Sequence, residues 1–279
     1  MKKHNRQAVL LALPAFLALL VFFAIPMVYI FVKTVSEHGW SDFAAFFTDP
    51  FYLDILWTTL RVSLISTFIS LLLGYPTAYY MARTRSKMRI VMMIIILFPF
   101  LVSAVVRSYG WMVLLGSKGL LNTFLQSIGV TQKSLKILNT ETAVIIGMIH
   151  LLIPYMVLSL VGVLQNIDQN VELAAYSLGA DSFYTFRKVV FPLSIPGIIS
   201  GCVLVFTMSM TSYVTPKLLG GSKFRMMATM VVQKINVSFD WGAASAISYI
   251  LLAAILLVQL VVVRSTNKYM ARLGGGKNA

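Results

Sequence analysis

The chain has 279 residues, of which 58% are hydrophobic and 11% charged. So few charges cannot clothe a soluble domain of this length, and so much apolar character excludes a disordered chain. The net charge of +14 invites a membrane-sidedness test before nucleic acid is considered, and a single cysteine, Cys202, excludes an internal disulfide or a cysteine-rich metal site.

Six uncharged runs, each near the ~20 residues a helix needs to cross the hydrocarbon core, predict spans at about 8–32, 60–82, 90–113, 142–164, 194–214 and 243–263. Lys2, Lys3 and Arg6 precede the first run. It is too long for a signal peptide and no small-x-small cleavage site follows it, so it reads as an uncleaved helix containing Pro14 and Pro26. Residues 33–56 mix Glu37, Asp42, Asp49 and Asp54 with Trp40, Phe43, Phe46, Phe47, Phe51 and Tyr52, as an amphipathic cap on the membrane surface would. In the second span Ser63, Ser66, Thr67, Ser70 and Gly74 recur at helical spacing, which suits close helix packing or the lining of a path. The third span carries Arg107 beside Tyr109 and Trp111; the cation either snorkels to the outer interface or rims a solute cavity. Between Gly119 and Gly129, Leu120, Leu121, Phe124, Leu125 and Ile128 share one face of a short outer helix expected to lie on the bundle.

The fourth span holds a lone His150, which reads as a hydrogen-bonded core histidine. Segment 165–191 follows. Asn170 is expected to cap a helix from Val171 to Leu178, with Glu172 in its first turn, and Gly179 to end it at positive φ. Asp181 or Ser182 caps a second helix through Val190, and Pro192 and Pro196 mark the start of the fifth span. Ala174, Ala175, Leu178, Phe183 and Phe186 make this loop less polar than a bland connection, so it expects a cover. In the fifth span Gly197 and Gly201 read as a close helix contact, while Thr207, Ser209, Thr211, Ser212 and Tyr213 suit either packing or a hydrophilic cavity. Gln259 in the sixth is expected to bond to a neighbouring helix. The tail Gly274–Gly276 with Lys277 lacks the Ser/Thr and the first glycine of a phosphate-binding loop, so no ATP site is expected in this chain.

The basic residues sort by side. Lys2, Lys3, Arg6, Arg83, Arg85, Lys87, Arg89, Arg187, Lys188, Arg264, Lys268, Arg272 and Lys277 fall on one side with only Asp168, Glu172 and Asp181, which makes both termini cytoplasmic. No Asp or Glu lies within a core span, against the ionisable midplane site that an ion-driven carrier uses. His4, His38 and His150 have no metal-ligand spacing, against a membrane-embedded enzyme.

The run Leu173-Ala174-Ala175-Tyr176-Ser177-Leu178-Gly179-Ala180, followed by Val189-Val190-Phe191-Pro192-Leu193-Ser194-Ile195-Pro196-Gly197-Ile198, resembles the cytoplasmic signature of the permeases of binding-protein-dependent ABC importers. Leu173 stands where the signature has Glu, with Glu172 one residue earlier, and Phe191 replaces the Leu before Pro192. Leu73-Gly74-Tyr75-Pro76, Pro99-Phe100, Arg107-Ser108-Tyr109-Gly110-Trp111 and Lys118-Gly119-Leu120-Leu121-Asn122 are similar to stretches of the spermidine/putrescine type in particular. The resemblance implies an all-α polytopic membrane protein of the type I importer kind, with six transmembrane helices and a cytoplasmic coupling-helix loop. It implies half of a translocation path for a small solute, most nearly a polyamine, with phosphonate, thiamine or ferric iron as alternatives. Glu172, Ala174, Ala175, Gly179 and Pro192 would then couple to the ATPase. Arg107, Tyr109, Trp111, Ser66, Ser70, Thr207, Thr211 and Tyr213 are candidates for the path. The implied partners are a second permease, an ATPase dimer that holds ATP and Mg, an external solute-binding protein and lipid, with no nucleic acid. The implied location is the bacterial inner membrane.

Overall fold

In the computed structural model of the chain, residues 13–84 and 86–272 are described. Lys2, Lys3, Arg6, Arg85 and the glycine tail with Lys277 lie outside them. All regular structure among the described residues is helical: α1 (Leu13–Ser36), α2 (Ser41–Thr48), α3 (Pro50–Arg83), α4 (Lys87–Leu101), α5 (Ala104–Leu115), α6 (Leu120–Ser127), α7 (Glu141–Asn166), α8 (Gln169–Ser177), α9 (Ser182–Met210), α10 (Val214–Leu219), α11 (Met227–Asn236) and α12 (Trp241–Arg272). Helices α1, α3, α7, α9 and α12 are each long and apolar enough to cross a membrane; Lys87–Leu101 and Ala104–Ser127 together are long enough for a sixth crossing but are bent by 100°.

That bend corrects the continuous helix expected over 90–113. Val102 turns extended, and Ser103 starts a new helix by accepting from the Val105 N–H at 3.3 Å. Pro99 has already removed one donor from the last turn of α4, so the ladder is weak where Ser103 offers a cap. Two other prolines are absorbed without a break. Before Pro26 and before Pro192 the helix widens to a π turn: Ile25 N–H donates to the Leu20 carbonyl and Phe191 N–H to the Phe186 carbonyl. A proline ring clashes with the carbonyl four residues back, and the wider turn moves that carbonyl aside. The second loop helix and the fifth span, expected as separate elements, are therefore one helix, α9, from Ser182 to Met210.

The long helices turn small and polar residues inward. On α3, Thr59, Ser63, Ser66, Thr67, Ser70, Gly74 and Ala78 are buried, while Leu64, Phe68, Leu72 and Leu73 are exposed. In lipid, exposing leucine costs nothing, and small side chains let backbones approach. Gly197 and Gly201 of α9 show the approach directly. A Cβ on Gly197 would sit 2.8 Å from Val163 Cβ, and one on Gly201 2.8 Å from Met156 Sδ, both on α7.

The chain divides into two compact units. In the unit of Met1–Leu53 and Met230–Ile250, the Tyr249 hydroxyl donates to the Met27 carbonyl at 2.5 Å and its ring meets Phe31 edge-on at 5.2 Å. Phe46 of α2 is buried and stacks on Tyr52 at 5.5 Å. Lys234 bonds to Asp240 at 3.0 Å; burial works against its charge, but hydrogen bonds to Asp240 and Tyr52 carry its pKa above the usual lysine value. The other unit, Asp54–Thr229 with Leu251–Ala279, contains α7 and its packed neighbour α9, together with the 165–191 loop.

The short outer helix meets its expectation in part: Leu121 and Leu125 are half-buried and Leu121 packs on the core, but the rest of the stripe faces out. Leu120, Phe124 and Ile128 are exposed, and the buried residue of α6 is Asn122. Its amide donates to the carbonyls of Gly116 and Leu135 and accepts from the Leu135 N–H at 2.7 Å. A buried amide with these bonds made fixes the helix rotation against the apolar stripe.

Candidate functional site

The first loop helix starts earlier than expected. Asp168, not Asn170, is its cap, accepting from the Asn170 N–H at 2.9 Å, so α8 runs Gln169–Ser177. Gly179 has φ +85° with open space around its Cα, so it reverses the chain as the sequence requires. Asp181 then caps α9, accepting from the Tyr184 N–H at 2.6 Å. Pro192 follows the π turn, half-buried.

Helix α8 has two faces. Val171, Ala174 and Leu178, at i, i+3 and i+7, are exposed, Leu178 at 89%. Phe183 and Tyr184 at the start of α9 are exposed too, so an apolar surface continues across both loop helices. Glu172 and Ala175 lie on the inner side, Ala175 half-buried and Glu172 buried. The two small alanines that the sequence groups together are thus divided between the faces.

Glu172 turns toward α3. Its carboxylate accepts from Arg83 Nη2 through one oxygen and from the Tyr79 hydroxyl, at 3.1 Å, through the other. Arg83 Nη1 also donates to the Leu164 carbonyl at 2.7 Å, filling one of the acceptors that the C-terminus of α7 leaves open. The side chains of Arg83 and Glu172 are only 16% and 9% exposed. Removing one partner would strand a buried charge, a loss of about 3–5 kcal/mol. Arg83 and Tyr79 carry no motif signal of their own; an Arg at the end of a span reads as a positive-inside residue.

The path candidates separate by environment. Ser66 and Ser70 are fully buried within the chain, and with Ser63 their hydroxyls have no hydrogen-bond partner among the described residues. Thr207 receives the Gln259 side-chain N–H at 2.8 Å, the interhelical bond expected of Gln259. Thr211 is exposed, its hydroxyl bonded back to the Thr207 carbonyl at 3.0 Å, and Tyr213 caps α10 half-buried. Trp111 Nε1–H donates to His150 Nδ1 at 3.2 Å, which makes His150 the core histidine expected; Tyr109 is exposed.

Arg107 is half-buried and bonds within its own chain. Its Nη1 donates to the Pro99 carbonyl at 2.6 Å, across the break between α4 and α5. It sits at the carbonyl end of α4, where a cation is favoured by the helix dipole, and shares the Pro99 carbonyl with the Val102 N–H. Arg107→Ala should lower the thermal stability of the purified protein by about 1–3 kcal/mol. Uptake per folded complex should stay unchanged; uptake lost at full stability would return Arg107 to the solute path.

Residues 66–271 match the family described as binding-protein-dependent transport system inner membrane component. The chain belongs to this family. It is a multi-pass inner-membrane permease subunit of a transport system, a component that is not catalytic. The permease is 35% identical over 263 residues to the spermidine/putrescine transport system permease protein PotB of Haemophilus influenzae, covering 91% of this chain and 92% of that one. It is 37% identical over 224 residues to the Escherichia coli PotB, covering 79% and 81%. In fold it resembles a chain of the bacterial alginate ABC transporter crystallised with its alginate-bound periplasmic protein, at a TM-score of 0.76, 16% identity and 99% and 98% coverage. A chain of the MetNI methionine ABC transporter matches at 0.60 and 16% identity, over 77% and 94%. Family membership removes the ion-driven carrier and the membrane enzyme from the readings of the sequence.

Proposed function

We propose that this permease forms half of the path by which an ATP-driven importer moves a polyamine of the spermidine/putrescine kind. The observation that carries the solute is the 263-residue match to a permease of that name, which spans nearly the whole of both chains. A second, similar but distinct permease supplies the other half of the path. An ATPase dimer, which holds the ATP and Mg, docks on the exposed apolar surface of Val171, Ala174, Leu178, Phe183 and Tyr184. A solute-binding protein delivers the polyamine from outside. Both termini are cytoplasmic, in keeping with the lysines and arginines of the 83–89 turn. Among the path candidates the exposed Tyr109 and Thr211 face the solute, whereas Ser66, Ser70 and Thr207 hold helices together.

The solute is tested on the cognate binding protein by thermal denaturation against spermidine, putrescine, thiamine, a phosphonate and ferric iron. Ligand at about 1,000 times its Kd stabilises by about 4 kcal/mol. Spermidine or putrescine should give that shift. A shift with one of the other three alone would overturn the polyamine reading and leave the importer standing.

A further inference from the structure

Tyr75, Tyr79 and Arg83 stand at i, i+4 and i+8 on α3, one stripe along its last two turns. Each grips a different part of the molecule. The Tyr75 hydroxyl shares a hydrogen bond with Ser194 Oγ at 2.8 Å, in the span portion of α9. The rings of Tyr75 and Tyr79 meet Phe186, in the π turn of α9, edge-on at 5.7 and 6.1 Å. Tyr79 and Arg83 together hold Glu172 of α8, Arg83 stacks over the Tyr79 ring at 5.6 Å, and it also holds the end of α7 through the Leu164 carbonyl. Both loop helices are thus fastened to one face of one span.

The fastenings differ in kind. The edge-on aromatic contacts with Phe186 are weak, about 0.5–1.5 kcal/mol each beyond their buried area. The Arg83–Glu172 pair is costlier to part, because separating its partners leaves two charges in a place where neither is solvated. Glu172 also sits on the inner face of the helix whose outer face carries Ala174 and Leu178. A force applied to the outer face therefore reaches α3 through the bonds of Glu172 to Arg83 and Tyr79, of which the buried ion pair is the costlier to separate.

We infer that the Arg83–Glu172 pair is the tether that makes α3 follow the loop when the ATPase moves it. Glu172 is then a positioning residue that faces its own chain and not the ATPase. This rests on the docking of an ATPase to 165–191 proposed above.

Replacing a buried ion pair by apolar residues of similar volume often preserves the fold, so Arg83→Met with Glu172→Met removes the tether and keeps the packing. Spin labels on Tyr80→Cys, an exposed site of α3, and Ser177→Cys, an exposed site of α8, in a Cys202→Ser background, report the distance between the two helices in the assembled complex. With the native pair that distance should be the same without nucleotide and with ATP bound. In the Met/Met variant it should shift by several ångströms on ATP binding while the ATPase stays bound. The same distance change with the native pair, or none in the variant, overturns the tether. Should the Met/Met variant not assemble, Glu172→Gln keeps the hydrogen-bonding shape and removes the charge. The stranded Arg83 charge lowers its stability, so it is compared at matched amounts of folded, monodisperse permease: that fraction should retain the ATPase and its hydrolysis but import severalfold less spermidine per ATP, and loss of the ATPase from folded permease would place Glu172 at the docking surface and overturn the proposal. A native complex that holds no ATPase at all is a failure of the docking reading, and it is seen before any tether variant is made.

Discussion

Leu178→Asp and Ala174→Asp should each yield a membrane-inserted permease that no longer co-purifies with its ATPase. Ala174 lies on the outer face of α8 and Leu178 is its C-cap, 89% exposed, so neither change disturbs packing inside the chain. The damage arises only on docking, when a carboxylate is carried into an apolar interface without a partner. Central interface residues of this kind are worth about 2 kcal/mol or more, which weakens association by at least about 30-fold. Gly179→Val acts by another route to the same end. There is room for its side chain, but a β-branched residue at φ +85° is strained by about 1–2 kcal/mol, and the turn that presents α8 would open. Pull-down of the ATPase with the three variants checks the account. Full retention by both aspartate variants would show that the outer face of α8 is not where the ATPase sits.

Gly197→Ala should damage the protein more than Gly201→Ala, although the two glycines form one spacing motif. Both meet α7, but they meet different atoms. A Cβ at 197 would stand 2.8 Å from Val163 Cβ and 3.0 and 3.2 Å from its two methyls, a branched side chain with little freedom to move. A Cβ at 201 would press on Met156 Sδ, partway along a flexible chain that can rotate away. The expected loss is about 1–3 kcal/mol at 197, in the range of overpacked cores, and a fraction of that at 201. Gly197→Leu should prevent assembly altogether. Thermal unfolding of the purified variants in detergent gives the order, and a larger loss at 201 would contradict the contact geometry.

The sequence made the spans legible because charge is nearly absent from them, and it made the coupling loop legible because Gly179 and the Asp181 cap leave local signals, although the cap of the first loop helix falls on Asp168 and not on Asn170. What it concealed was tertiary. The break at Val102 and Ser103 has no charge or glycine to mark it, and nothing local in the sequence shows that Arg107 bonds to the Pro99 carbonyl across it. Of the apolar stripe Leu120, Leu121, Phe124, Leu125 and Ile128, only Leu121 and Leu125 turn partly inward, because the satisfied amide of Asn122 sets which side is buried. Pro192 looks like a helix boundary, but a π turn carries the helix through it. Glu172 has the least legible role of all. Its partners Tyr79 and Arg83 are about 90 residues away in sequence, at |i−j| of 93 and 89, and no local pattern couples positions so far apart.

The importer reading is tested most directly by spermidine uptake into proteoliposomes that contain the permease pair with its ATPase, supplied with the binding protein. Accumulation should require ATP on the ATPase side, stop when the ATPase is omitted, and continue undiminished when an ionophore collapses the proton and sodium gradients. Uptake that persists without ATP and vanishes with the ionophore would contradict it.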